Sequence, residues 1–159
     1  MNDAIPQRVW LEISLDTLTR NYRKIADAVA PADVLTVLKA NAYGLGVLPI
    51  AQALAKAGAS GFGVAEPHEA LQLLPLGRPV QILSSILPDE IEPMVTAGVI
   101  LPVTDFTTAQ LISEAAQRLG RIATVHLKLD TGMGRLGILA SDAPDIIRKT
   151  RTLPGLHCE

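Results

Sequence analysis

Two rhythms of apolar residues alternate along this chain. Leu15, Leu18, Tyr22, Ile25 and Val29 recur at helical spacing, in a stretch that opens on Ser14, carries Asp16 in its first turn and stops at Pro31. Residues 34–38 then form an almost unbroken apolar run ending on Lys39, the pattern of a buried strand in a parallel sheet. From there the two patterns take turns. Helices are predicted over 47–58, 66–76, 88–97, 107–119 and 145–150, and strands over 61–65, 80–84, 99–103, 122–129 and 155–159. Gly58 and Gly120 close two of the helices, and Pro67 sits in a first turn, where its missing N–H is harmless. Before all of these, Val9, Leu11 and Ile13 alternate loosely, so residues 8–14 read as a short strand.

Strand and helix repeating every 20–25 residues or so is the signature of βα units in a parallel sheet. The class is therefore α/β, with strands near residues 35, 63, 82, 101, 125 and 157. A closed (β/α)8 barrel needs eight strands and typically ~250 residues, whereas this chain has 159. Either the sheet is open and doubly wound, or the sequence is the N-terminal part of a longer protein.

Composition narrows the options. Apolar residues make up 48% but aromatics only 3%, so Ala, Leu, Ile and Val must fill the core. A net charge of −2, without a basic block, gives no electrostatic case for nucleic acid. No apolar run approaches a membrane span, and the first eight residues lack the basic start and apolar centre of a signal peptide. The single cysteine, Cys158, excludes an internal disulfide and fits a cytoplasmic location; it reads as a small buried residue, not a nucleophile.

Gly132, Gly134 and Gly137 spell G-x-G-x-x-G after a predicted strand, with Glu159 about 20 residues further on. A dinucleotide site would need a helix running directly from the glycines, but Ser141-Asp142-Ala143-Pro144 interrupts the pattern. It would also place Asp130 beside a pyrophosphate. The alternative grouping is chemical. Lys128, Asp130 and Arg135 stand at the C-terminal end of one strand and Lys39 and Tyr43 at the end of another, and in a parallel sheet such ends share a face. A desolvated lysine among other cations is a nucleophile suited to a Schiff base with a carbonyl cofactor. A neighbouring tyrosine and arginine suit a phosphate or carboxylate. Strand-end charges that merely balance one another are the plain alternative.

The strings V-L-K-A-N-A-Y-G-L-G (residues 37–46 with the preceding apolar run) and H-L-K-L-D-T-G-M-G-R-L-G (residues 126–137) closely resemble alanine racemases, as does the opening V-W-L-E-I-S-L-D-T-L-T-R-N-Y. The resemblance runs through essentially the whole chain. It implies a parallel (β/α)8 TIM-type barrel of which the first five to six βα units are present. Residues 1–159 would be the N-terminal part of one pyridoxal-phosphate-binding barrel domain, with the remaining barrel strands and a C-terminal β domain absent.

Residue by residue, the resemblance implies that Lys39 holds pyridoxal 5′-phosphate as an internal aldimine and serves as the base on the D-alanine face. Tyr43 would contact the cofactor phosphate. Arg135 would approach the cofactor's phenolic oxygen and the substrate carboxylate. Lys128 matches a lysine that is carbamylated in some members and braces that arginine, and Leu83 would line the cofactor side of the third strand. No metal is implied. The second base would be a tyrosine of the β domain reaching in from the other subunit of a homodimer. The expected activity is interconversion of L- and D-alanine, supplying D-alanine for peptidoglycan, with these 159 residues inactive alone. A racemase for serine or a broader range of amino acids, and a non-catalytic pyridoxal-phosphate-binding protein, are the alternatives. Leu45 departs from the histidine of many members.

Overall fold

The structure, a computed structural model, describes residues 8–159. Six parallel strands follow one another in chain order. Strands β1 (Leu35–Val37), β2 (Gly61–Val64) and β3 (Val80–Ile82) pair in sequence, as do β4 (Leu101–Val103), β5 (Ala123–Leu127) and β8 (Leu156–Cys158). A parallel bridge between Gln81 and Ile100 joins the two triplets, with Ile82 N–H donating to the Ile100 carbonyl at 3.0 Å and Ile100 N–H to that of Val80 at 2.9 Å. Between the last two lie the short parallel strands β6 (Leu129–Asp130) and β7 (Ile138–Leu139). The expected α/β class and parallel sheet are therefore present, with one strand per βα unit.

The helices are α1 (Leu15–Val29), α3 (Val47–Ala57), α4 (Pro67–Leu73), α5 (Pro88–Ala97), α6 (Phe106–Arg118) and α7 (Ala143–Thr150); the helical segment α2 (Lys39–Tyr43) is of a different kind and is taken up with the site. The α4 pattern ends in a single 3₁₀ turn, Leu74–Leu76, because Pro75 cannot continue the ladder. Ser14 caps α1, its hydroxyl oxygen accepting from Thr17 N–H at 3.2 Å. The core sits between sheet and helices. Phe62, Val64, Val80, Ile82, Leu101, Val103 and Val125 from the strands meet Leu54, Leu73, Met94 and Ile112 from the helices, all buried. On β2 the alternate residues Gly61 and Gly63 turn the other way. A methyl group on Gly63 would lie 2.7 Å from Leu83, so the glycine is what lets Leu83 lean across the strand.

Two expectations need correction. Residues 8–14 form no strand; Val9, Trp10 and Leu11 are 84%, 69% and 67% exposed. Alternation predicts a strand only where a partner edge is available, and none reaches this segment among the described residues. Strand β1 is not fully buried either. Leu35 and Val37 are exposed to 39% and 37%, because β1 is an edge strand paired only with β2 here.

Helix α6 yields a pH prediction. Asp105 caps it, one carboxylate oxygen accepting from Thr108 N–H at 2.8 Å and the other from the Thr108 and Thr104 hydroxyls at 2.9 and 3.1 Å. Partial burial pushes this carboxyl's pKa up, but the bonds from Thr108 and Thr104 outweigh it and hold it below the usual value. A group with a depressed folded pKa stabilises fully above its unfolded value, ~3.9 for Asp. That contribution fades as pH falls through the folded pKa. The expected result is that Asp105→Ala costs about 1 kcal/mol in urea melts at pH 7 and progressively less as the pH falls below about 4. An equal loss at pH 7 and pH 2.5 would show that the carboxylate does not act as the cap.

Candidate functional site

The lysine-bearing strand end is built in an unusual way. After β1 the chain does not loop freely. Ala40, Asn41, Ala42 and Tyr43 all take left-handed helical φ values, between 52° and 57°. For L-residues this conformation costs roughly 1–2 kcal/mol each, so it persists only where surrounding bonds over-determine it. Several do. Ala42 N–H donates to the Leu38 carbonyl at 2.9 Å, Gly44 N–H to Ala40 at 2.8 Å and Gly46 N–H to Asn41 at 3.0 Å. The Asn41 side-chain oxygen accepts from Val47 N–H at 2.8 Å, satisfying the first free donor of α3. Ala42 is buried and anchors the turn from beneath. The turn leaves Lys39 half-buried and Tyr43 61% exposed on one side.

The second motif is built by the glycines. Gly137 has φ +127°, and a methyl group there would lie 2.9–3.0 Å from the backbone of Lys128, Leu129 and Asp130. The third glycine of the G-x-G-x-x-G thus lets two backbone segments touch. Ile138 N–H then reaches the Lys128 carbonyl at 2.8 Å and starts β7. No helix leaves the glycines; α7 begins only at Ala143, so the dinucleotide geometry is absent. Asp130 accepts from Gly132 N–H at 2.9 Å and Gly134 N–H at 3.1 Å, and these bonds hold its carboxyl below the usual range. An aspartate folded onto its own loop shapes the segment that carries Arg135.

These segments meet. A cavity of about 440 Å³ is lined by Lys39 and Tyr43 from the left-handed turn, Ala65 after β2, Leu83 and Ser84 after β3, and Lys128 and Arg135 from the second motif. Lys39, Tyr43, Leu83, Lys128 and Arg135, the five residues given a role by the resemblance, stand on its wall; Asp130, grouped with them in the sequence, does not. The Lys128 amine donates to the Leu83 carbonyl at 2.5 Å, and the Ser84 hydroxyl to the Ala65 carbonyl, tying neighbouring strand ends together. Every contributor lies at the C-terminal end of a strand or, like Arg135, in the loop that follows one, where parallel sheets gather their chemistry. Two amines, one phenol and one guanidinium around an open, partly apolar cavity suit an aldehyde-bearing phosphate cofactor and a carboxylate substrate. Ala65 and Ser84 were missed from sequence, because neither small residue lies within the two motifs.

Cys158 stands apart from this cavity. It is half-buried, and burial pushes its thiol pKa up against the pull of Arg151. Among the described residues, no three His, Cys, Asp or Glu side chains gather as a metal site, and no helix is long and apolar enough to cross a membrane.

Known proteins resemble this chain along nearly its whole length. The family described as "Alanine racemase, N-terminal domain" matches residues 13–159. The alanine racemase of Halothermothrix orenii is 33% identical over 162 residues, covering all of this chain and 43% of its own length. An alanine racemase from Bartonella henselae, solved with covalently bound pyridoxal phosphate, superposes with a TM-score of 0.83 at 30% identity, over 92% of this chain and 42% of its own. The histidine racemase of Leuconostoc mesenteroides superposes with a TM-score of 0.82 at 26% identity, over 89% of this chain and 39% of its own. The chain thus spans about two fifths of the length of these relatives, and its six strands are the corresponding arc of their TIM-type barrel. With both motifs at one cavity and the match running from residue 13 to residue 159, the chain belongs to the alanine racemase N-terminal domain family.

Proposed function

We propose that the intact protein is a pyridoxal-phosphate-dependent alanine racemase, and that residues 1–159 form the N-terminal part of its barrel domain. The observation that carries this reading is the convergence of Lys39, Tyr43, Leu83, Lys128 and Arg135 on one cavity in a chain of this family. In this proposal the Lys39 amine holds the cofactor covalently and moves the α-proton on one face of the substrate. The Tyr43 phenol contacts the cofactor phosphate, and Leu83 covers an apolar edge of the cofactor. Arg135 orients the substrate carboxylate with its fork of donors. Lys128, held by the Leu83 carbonyl, braces the arginine; a carbamate on its nitrogen would keep an N–H for that bond while presenting negative charge to the guanidinium. When bound, the cofactor supplies the electron sink that makes the α-proton acidic.

Racemisation needs a proton acceptor on each face of the reacting carbon. Lys39 serves one face. The other is assigned to a tyrosine of a C-terminal β domain, contributed by the second subunit of a homodimer. The exposed Val9, Trp10 and Leu11 form a surface such a domain could cover. A cytoplasmic enzyme supplying D-alanine to peptidoglycan completes the reading. The likeness to a histidine racemase favours one second possibility, a different amino-acid substrate on the same barrel.

Racemisation rates of the intact protein with alanine, serine, lysine, arginine and histidine test the proposal. Alanine is expected to react fastest. A rate with alanine well below that of another amino acid would overturn the choice of substrate, and no racemisation of any would overturn the activity.

A further inference from the structure

Glu69 sits on the first turn of α4, at the third helical position, where a glutamate ordinarily bends back to cap its own helix. One of its oxygens does that: Oε2 accepts from Ala65 N–H at 2.8 Å and Glu66 N–H at 3.3 Å. The other reaches across to a different part of the chain. Oε1 accepts from the backbone N–H of Ala40 at 2.5 Å, the first residue of the left-handed turn and the neighbour of Lys39. Glu69 does not line the 440 Å³ cavity. It lies behind the turn, in a separate hollow of about 310 Å³ with Leu38, Asn41 and Val47. Its influence on Lys39 therefore runs through backbone.

The molecule contains its own control. Glu90 occupies the same position on α5, and its Oε2 accepts from Leu87 N–H at 2.9 Å, a local cap. Glu69 alone of the two also grips a second strand end.

We propose that Glu69 is a positioning residue for Lys39: one carboxylate clamps the end of β2 to the left-handed turn after β1 and so sets the direction in which the lysine amine enters the cavity. Four consecutive residues with positive φ have an obvious way to relax, toward the right-handed region, and relaxation would swing Lys39 and Tyr43 away together. A carboxylate suits the task because both of its oxygens only accept. Glutamine would place an NH₂ against one set of N–H donors, and aspartate is a methylene too short to span both. The assignment rests on Lys39 being the cofactor lysine.

The test compares Glu69→Gln, Glu69→Asp and Glu90→Gln with the parent in the intact protein. Three quantities are read: hydrogen exchange at the Ala40 amide, the rate at which added pyridoxal phosphate becomes trapped at Lys39 by borohydride, and the melting temperature. Both Glu69 variants are expected to speed Ala40 exchange about tenfold or more and to slow trapping by a similar factor, since loss of one charged hydrogen bond is worth about a factor of ten. Their melting temperatures should stay close to that of Glu90→Gln, which should leave exchange and trapping at parent values. Unchanged Ala40 exchange in both Glu69 variants would overturn the clamp. So would Ala40 exchange and trapping altered equally by Glu90→Gln, or a global gain in exchange in both Glu69 variants. Trapping away from Lys39 in the parent would refute the cofactor assignment instead, and Ala40 exchange, which needs no cofactor, would still decide the clamp.

Discussion

Lys39→Ala in the intact protein is expected to eliminate the borohydride-trapped pyridoxal phosphate adduct and to lower racemisation by at least about 10³-fold. A positioned general base alone contributes about 10²–10⁴, and the same amine is assigned to hold the cofactor. Lys39→Arg is expected to do no better. Guanidinium stays protonated at any working pH, so it can neither condense with an aldehyde nor accept a proton, although it keeps the positive charge. The pair of variants therefore separates amine chemistry from charge. Peptide mapping by mass spectrometry checks the first expectation and chiral chromatography the second. An adduct that survives Lys39→Ala on another lysine, with activity retained, would move the centre of the site elsewhere. Lys128 is the obvious competitor, because it lines the same cavity. It is the less suitable nucleophile, since its amine already donates to the Leu83 carbonyl.

Gly137→Ala is expected to be the most damaging small substitution in the chain. The position has φ +127°, and the added methyl would lie within 2.9–3.0 Å of three backbone atoms of residues 128–130, which cannot step aside as a flexible side chain would. Backbone strain and overpacking together put the cost at about 3 kcal/mol or more. The damage should be local first. The bond from Ile138 N–H to the Lys128 carbonyl and the β6–β7 pairing depend on this approach, and buried Ile138 would be drawn from the core. Arg135, in the loop between those strands, would lose its placement. Gly134→Ala provides the comparison: its φ is +66° but a methyl there meets nothing within 4 Å, so only about 1 kcal/mol of conformational strain is expected. Denaturant titrations of both variants check the ranking. Equal stabilities would mean that the contact at Gly137 is relieved at little cost.

Much of this architecture was legible in the residue pattern, for a physical reason. The run at 34–38, the amphipathic spacing of 107–119 and the glycine stops reflect burial and backbone freedom, which are local properties of sequence. They placed the six strands of the main sheet and helices α1 and α3 to α7 within a few residues. The errors came where local pattern needs a distant partner. Residues 8–14 alternate like a strand and stay irregular, and β1 is apolar yet partly exposed, because both outcomes depend on which neighbour lies alongside. The left-handed turn was invisible. Ala40 and Ala42 are good right-handed helix formers, and nothing in K-A-N-A-Y announces positive φ at four successive positions. The strand predicted over 122–129 divides into β5 and the start of β6, and β7 answers to no predicted element, since two-residue strands carry no period.

The sequence alone determined the class of the fold, the parallel sense of the sheet, and the cationic and phenolic side chains at strand ends. Burial and the C-terminal-end rule follow from the order of residues. Tertiary structure decided the rest. It turned a G-x-G-x-x-G that could have cradled a phosphate into a backbone contact, because the close approach of residue 137 to residues 128–130 appears only once the strands pair. It also bent the Lys39 turn into its left-handed form and tied it to Glu69, 29 residues away. A bond across that separation depends on packing β2 and α4 beside β1, which no local property of either segment encodes.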